Sequence, residues 1–403
     1  MRNRWLIALA AIGLHISIGS VYAWSVLTRP IMVDTGFTLS QTTWTFSLAI
    51  LMLGLSAGFL GSFAEKIGPK KSGLLAMLFW VAGLFGTAYA LSIHSLTLLY
   101  LFYGIIGGIG LGIGYITPVS TLVKYFPNRP GFATGLAIMG FGFAALIAGP
   151  LMQYLVAHVG LVNNFIILGI TYLIVMSASS LYLKAPTPKE PTRSNQDKST
   201  MYVHNHGMLA NDAMKTWQFS ALWWVFFVNI TCGIGLLSLA SPMAQETISM
   251  TPAAAASLVG IIGIFNGGGR IAWSTISDFL GRAQTYILFF IMEIIAFYLL
   301  SQTNSALTFQ ILILLIITCY GGGFSCMPAY LADLYGIRQL STIHGRILTA
   351  WGLAGIAGPM IVSYFHEAGY GYSMALVCFA GLFVLNTIIA IVLKMYGKKN
   401  LHS

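Results

Sequence analysis

The chain has 403 residues, 57% of them apolar and only 7% charged, with a net charge of +10 and a mean hydropathy of +0.82. Soluble domains carry about a quarter charged residues, so this composition excludes a soluble enzyme, a disordered chain and a secreted disulfide scaffold. Roughly 230 apolar residues would fill about a dozen membrane spans of about 20 residues each. The apolar runs are continuous, without the alternation of a membrane β-barrel, so the spans are helical.

In chain order, hydropathy predicts twelve spans, at 5–28, 43–63, 72–92, 97–124, 132–157, 162–184, 218–241, 252–278, 284–302, 306–331, 345–366 and 372–394. The first has the look of a signal peptide, with Arg2, Arg4 and Val21-Tyr22-Ala23 as a passable cleavage site. His15, Ser17 and Ser20 within it, and its length, favour a retained span. Of the 20 basic residues, 18 then fall on the side of the N-terminus, Arg29 alone on the other, and Arg270 inside a span. That bias predicts both termini in the cytoplasm and explains the net charge as a topology signal toward anionic lipid, with no nucleic-acid partner.

A hydrophilic stretch interrupts the series. Residues 185–217, opening Pro186-Thr-Pro-Lys-Glu-Pro191, divide the chain into a six-span bundle at 1–184 and a second at 218–403. His204 and His206 in it read as solvated loop histidines, with a metal site the lesser option. Cys232, Cys319, Cys326 and Cys378 sit in apolar runs as small hydrophobes. No metal or other cofactor is expected. Gly108-Ile-Gly110-Leu-Gly112-Ile-Gly114 lacks the strand–turn–helix setting of a phosphate loop and reads as close helix packing. Pro118, Pro150, Pro328 and Pro359 mark expected kinks.

The halves repeat one another. Glu65-Lys-Ile-Gly68-Pro-Lys70-Lys71 returns as Asp278-Phe-Leu-Gly281-Arg282 at an offset of 213 residues, and Gly149-Pro150 returns as Gly358-Pro359 at 209. An acid past a span end, a glycine turn and basic residues can form a charge latch. Glu65 or Asp278 would pair across the halves with Arg346 or Arg129, holding the outward-facing state and breaking in the inward-facing one; a plain positive-inside tether is the alternative.

These features resemble the major facilitator superfamily, with Glu65 where Asp is usual and Ser274 where the repeat would have Gly. Gly19-Ser-Val-Tyr22-Ala-Trp24-Ser25, the run from Lys124 through Arg129 to Gly135, and Asn266-Gly-Gly-Gly-Arg270 narrow the resemblance. Together they are similar to the oxalate/formate antiporter family and its bacterial monocarboxylate-transporter relatives. The resemblance implies a two-bundle, twelve-helix carrier, not an enzyme, that moves small carboxylate anions.

Arg270 stands near mid-span, where a cation costs on the order of 2.5–3.5 kcal/mol on insertion scales and must find an anion. Asn266, at i−4, shares its helical face. A guanidinium fork with an amide donor suits a carboxylate; a buried ion pair is the alternative, and Glu293 is the one mid-membrane acid available for it. The glycines between Asn266 and Arg270 would admit a ligand or a neighbouring helix. Tyr22, Tyr115, Phe141, Tyr320, Phe324 and Trp351 fall near mid-span and match positions that resemble the family's aromatic cage, though aromatic residues in spans more often serve packing. The resemblance places a second cation, a lysine, where this chain has Trp351, which disfavours a dianion such as oxalate.

The expected cargo is therefore a monocarboxylate: L-lactate first, then pyruvate, formate or acetate. It would be moved by alternating access, with proton symport expected and Glu293 and His15 as proton-coupling candidates. A monomer in the plasma (inner) membrane is expected. The other readings are an oxalate/formate-type exchanger and, from another class, a non-transporting carboxylate sensor. A drug exporter would more naturally keep an acid in its cavity.

Overall fold

The computed structural model describes residues 3–125, 130–184, 207–336 and 339–396. Lipid offers the backbone no hydrogen bonds, so each segment must satisfy its own, and every long element is a helix. Twelve spans form. The first runs Arg4–Gly19, tightens through Ser20–Ala23 and continues as Ser25–Thr35. Then come Leu39–Ile67, Pro69–Ser92 and a fourth span built from Leu96–Leu99, a π-helical stretch Tyr100–Gly107 and Gly108–Tyr125. Pro130–Val159 and Leu161–Tyr182 complete the first half. The second half holds Trp217–Ser238, Pro252–Leu280, Arg282–Gln302, Ala306–Tyr335, Thr349–Phe365 and Gly371–Tyr396. Several helices overrun their predicted ends, and at span 2 a polar cap is the reason. Thr38 Oγ1 accepts from Gln41 N at 3.1 Å while Gln41 Oε1 accepts from Thr38 N at 2.9 Å, which starts span 2 four residues before the predicted 43.

The repeat read from sequence has a backbone counterpart. Gly68 (φ +82°) and Gly281 (φ +92°) each end one helix and begin the next in a conformation that favours glycine. Packing repeats too. Spans 1·5, 2·4 and 3·6 are major contacts in the first bundle, and 7·11, 8·10 and 9·12 in the second, each the earlier pair advanced by six. The bundles meet along spans 5·8 and 2·11. Glycines allow the approach: a Cβ on Gly142 would lie 2.9 Å from Gly267 backbone, and one on Gly54 would lie 2.4 Å from Gly352. Gly108, Gly110 and Gly112 press on the backbones of spans 2 and 3, as packing glycines. Apolar side chains such as Phe59, Ile174 and Phe279 cover the outside, where lipid would lie. Cys232, Cys319 and Cys326 are buried and Cys378 faces out, all four free.

Candidate functional site

Arg270 is fully buried at the seam between the halves. Its Nε donates to Asn266 Oδ1 at 3.2 Å, across one turn of span 8. Its Nη1 and Nη2, and Asn266 Nδ2, are buried and make no well-aligned hydrogen bond, although the Tyr22 and Tyr115 hydroxyls lie close enough to interact with the guanidinium. The guanidinium lies 4.9 Å over the Phe324 ring, a contact that softens the burial of its charge without neutralising it. Among the described residues Arg270 is the one buried Lys or Arg and Glu293 the one buried Asp or Glu. The two do not pair. Glu293 accepts from Asn229 Nδ2 at 3.4 Å, and its other oxygen has no partner. The sequence offered Glu293 as a partner for Arg270; the structure turns span 9 toward Asn229 of span 7 instead.

Aromatic rings from both halves close around the guanidinium. Tyr22 and Tyr320 hydroxyls meet at 2.6 Å, one donating to the other across the seam. Tyr115 packs 5.0 Å from Trp351, Phe141 4.8 Å from Tyr22, Phe324 4.8 Å from Trp351 and Tyr320 5.3 Å from Phe324. The hydroxyls of Tyr22, Tyr115 and Tyr320 lie within electrostatic reach of Arg270. All eight residues singled out for the cage converge here, none more than 1% exposed. Water is thus excluded, which strengthens any attraction between the guanidinium and an anion. The glycines of Asn266-Gly-Gly-Gly-Arg270 serve helices: Gly267 meets Gly142 and Phe143, and Gly269 meets the Thr318 backbone.

His15 extends the cage from span 1, with its ring against Tyr115 and Phe141. One ring nitrogen faces the Ala137 carbonyl and the other the Tyr115 carbonyl at 2.9 Å. A neutral imidazole has one N–H to donate, so one of these carbonyls faces a lone pair unless a second proton arrives. Arg270 is within electrostatic reach of this ring as well.

Among the described residues, the expected latch members Asp278 and Arg346 contact groups other than a charge of the opposite half. On the side of the termini, Asp278 pairs with Arg282 at 2.5 Å within its own half, and Arg282 also approaches Asp333 at 3.6 Å. The reason is local: i,i+4 spacing across the Gly281 turn brings the two together. Arg346 donates to Asn211 Oδ1 at 2.8 Å and to Met214 Sδ at 3.0 Å. Lys70 and Lys71 are exposed. Arg129, the linker residues 185–206 with His204 and His206, and the side chain of Glu65 lie outside the described residues.

The opposite face holds a cross-half cluster that the sequence reading missed. Arg29 donates to Gln245 at 3.0 Å and to Glu246 at 3.3 Å. Glu246 also meets His366 at 2.6 Å, and Glu367 accepts from Ser40 N at 2.7 Å. The available signal was charge economy: the single basic residue predicted on that face needs an acid, and Glu246 and Glu367 end spans there.

Comparison with known proteins agrees with this architecture. The Major Facilitator Superfamily family model matches residues 7–282 and 222–401, so the chain belongs to that family of membrane transporters. It is similar to the uncharacterized MFS-type transporter YhjX of Escherichia coli (strain K12), at 27% identity over 88% of this chain and 86% of that one. It is similar to the oxalate:formate antiporter of Oxalobacter formigenes, at 25% over 88% and 83%. Apicoplast pyruvate carrier 1 of Toxoplasma gondii is 22% identical over 77% of this chain and 66% of its own length. In fold, it resembles the crystal structure of a bacterial homolog of the human lysosomal transporter Spinster, with a TM-score of 0.73, 15% identity and 97% of each chain covered.

Proposed function

We propose that the protein is a secondary active carrier of a small monocarboxylate, L-lactate foremost, with pyruvate, formate and acetate in the same class. The observation that carries the reading is a buried guanidinium whose two Nη atoms make no well-aligned hydrogen bond, with an adjacent unpaired amide donor, tyrosine hydroxyls close by and, among the described residues, no acid paired with it. A bound carboxylate fills both Nη positions bidentately. It also cancels the charge over which the cage closes, and closing over a neutral site costs less than closing over a bare cation. Anion binding therefore licenses the rocking of 1–184 against 218–403. The orientation follows the basic residues, with both termini cytoplasmic and a monomer in the plasma (inner) membrane.

Proton coupling runs through His15 in this reading. His15 shares the Tyr115 and Phe141 walls of the cage, and a carbonyl is placed to accept from each of its ring nitrogens once the imidazole holds a second proton. Lactate plus one proton crosses without net charge, so the membrane potential does not resist it. Glu293 is the alternative proton site, acting at a distance through Asn229. Oxalate/formate-type exchange is the second reading, favoured by the similarity to an oxalate:formate antiporter. A lone cage cation counts against a dianion.

The test is uptake of labelled lactate, pyruvate, formate, acetate and oxalate into proteoliposomes, with and without an imposed pH gradient. Lactate uptake that rises as the donor side is acidified, with oxalate excluded, is expected. Oxalate uptake by exchange for formate, indifferent to pH, would replace this reading with the second.

A further inference from the structure

We infer that Trp351 is a specificity-determining residue of the cage, and that the acid carried has a second oxygen beside its carboxylate, as 2-oxo and 2-hydroxy acids do. This rests on the carboxylate reading of Arg270. Four buried donor atoms in the cage make no well-aligned hydrogen bond: Arg270 Nη1 and Nη2, Asn266 Nδ2 and Trp351 Nε1. Each can only donate, so together they describe a ligand rich in acceptors. The first three sit on span 8 and suit the two carboxylate oxygens. Trp351 comes from span 11, held by Tyr115 at 5.0 Å and Phe141 at 5.8 Å. The guanidinium stands over the face of Phe324, whereas the indole meets that same ring at 73°. The two donor-bearing side chains thus meet the same ring from different spans.

Other indoles without acceptors occur, but elsewhere. Trp24 and Trp80 pack on Tyr103 inside the first half, and Trp224 packs on Phe227. Trp351 differs in sharing its neighbours with Arg270. A buried N–H left unpaired is costly, and a site built to bond a substrate oxygen rejects the analogue that lacks it. A keto or hydroxyl oxygen on the carbon next to the carboxylate supplies the missing acceptor; acetate and propionate do not.

The experiment compares L-lactate, pyruvate and propionate, all three-carbon acids, in proteoliposomes holding the wild-type protein, Trp351→Phe or Trp351→His. In the wild type, propionate should need a half-saturating concentration roughly tenfold or more above that of lactate and pyruvate, the effect of one orphaned buried donor. Trp351→Phe keeps a ring but no N–H and should bring that ratio below about threefold. Trp351→His restores a ring N–H and should recover part of the preference, so a misfolded Phe variant does not stall the test. A wild-type ratio near one, or a ratio kept in Trp351→Phe, overturns the role of Trp351 while leaving Arg270 as anchor. A wild-type protein that takes up none of the three acids overturns the carboxylate reading, and this inference with it.

Discussion

The two halves share a scaffold and divide the chemistry. At the repeat offset of 213, Arg270 of span 8 corresponds to Ala57 of span 2; at 209, Trp351 of span 11 corresponds to Gly142 of span 5. Each first-half counterpart is small and lies on a seam: Ala57 is buried, and a Cβ on Gly142 would sit 3.4 Å from Arg270 Nε. The second half therefore holds the charge and the free donors, and the first half makes room for them and supplies His15, Tyr22, Tyr115 and Phe141 as wall. Duplication gives two rockable bundles, while an anion site needs its cation only once. A second buried cation at the symmetric position would cost several kcal/mol without a second negative charge to meet it.

The largest test of this division is Arg270→Lys. Lysine keeps the charge but loses the planar fork and the reach of both Nη atoms. Lactate uptake should fall by about two orders of magnitude, on the scale of one charge-assisted bidentate contact. Near-normal uptake would move the anion site out of the second half. Next comes the placement of the proton. His15→Gln should leave counterflow of lactate between preloaded vesicles and remove its rise on acidification, whereas Glu293→Gln should leave that rise intact. The reverse result would put anion and proton sites together in the second half, with Asn229 as the link.

The smallest effect is expected at the face away from the termini. Glu246→Gln weakens the contacts to Arg29 and His366 that tie the halves together there. These groups are partly exposed, and such pairs contribute about 0–1 kcal/mol. A change in transport rate of no more than about fivefold is expected, diminishing further at high salt. A complete block would make that cluster a gate on which the cycle depends.

Some of this was open to sequence reading and some was not. Hydropathy and charge placement along the chain made the number of spans legible, because a charge in lipid is costly wherever the chain folds. The same cost singled out Arg270, and i,i+4 spacing singled out Asn266. The cage aromatics were legible as mid-span residues, but packing and lining look alike in a list of apolar spans. The charge clusters were the least legible part. Asp278 chose Arg282 because a neighbour one turn away is always within reach, and Glu246 found Arg29 because span 1 runs on past its apolar end to Thr35.

By itself, then, the sequence determined a twelve-span, duplicated membrane carrier with one intramembrane guanidinium, since hydrophobic length and charge cost are summed residue by residue along the chain. Only the tertiary structure decided what faces that guanidinium. Glu293 turns to Asn229, the Tyr22 and Tyr320 hydroxyls join across the seam, and His15 lies between two carbonyls. Those outcomes depend on helix rotation and on contacts between residues as many as 298 positions apart, which no local pattern encodes.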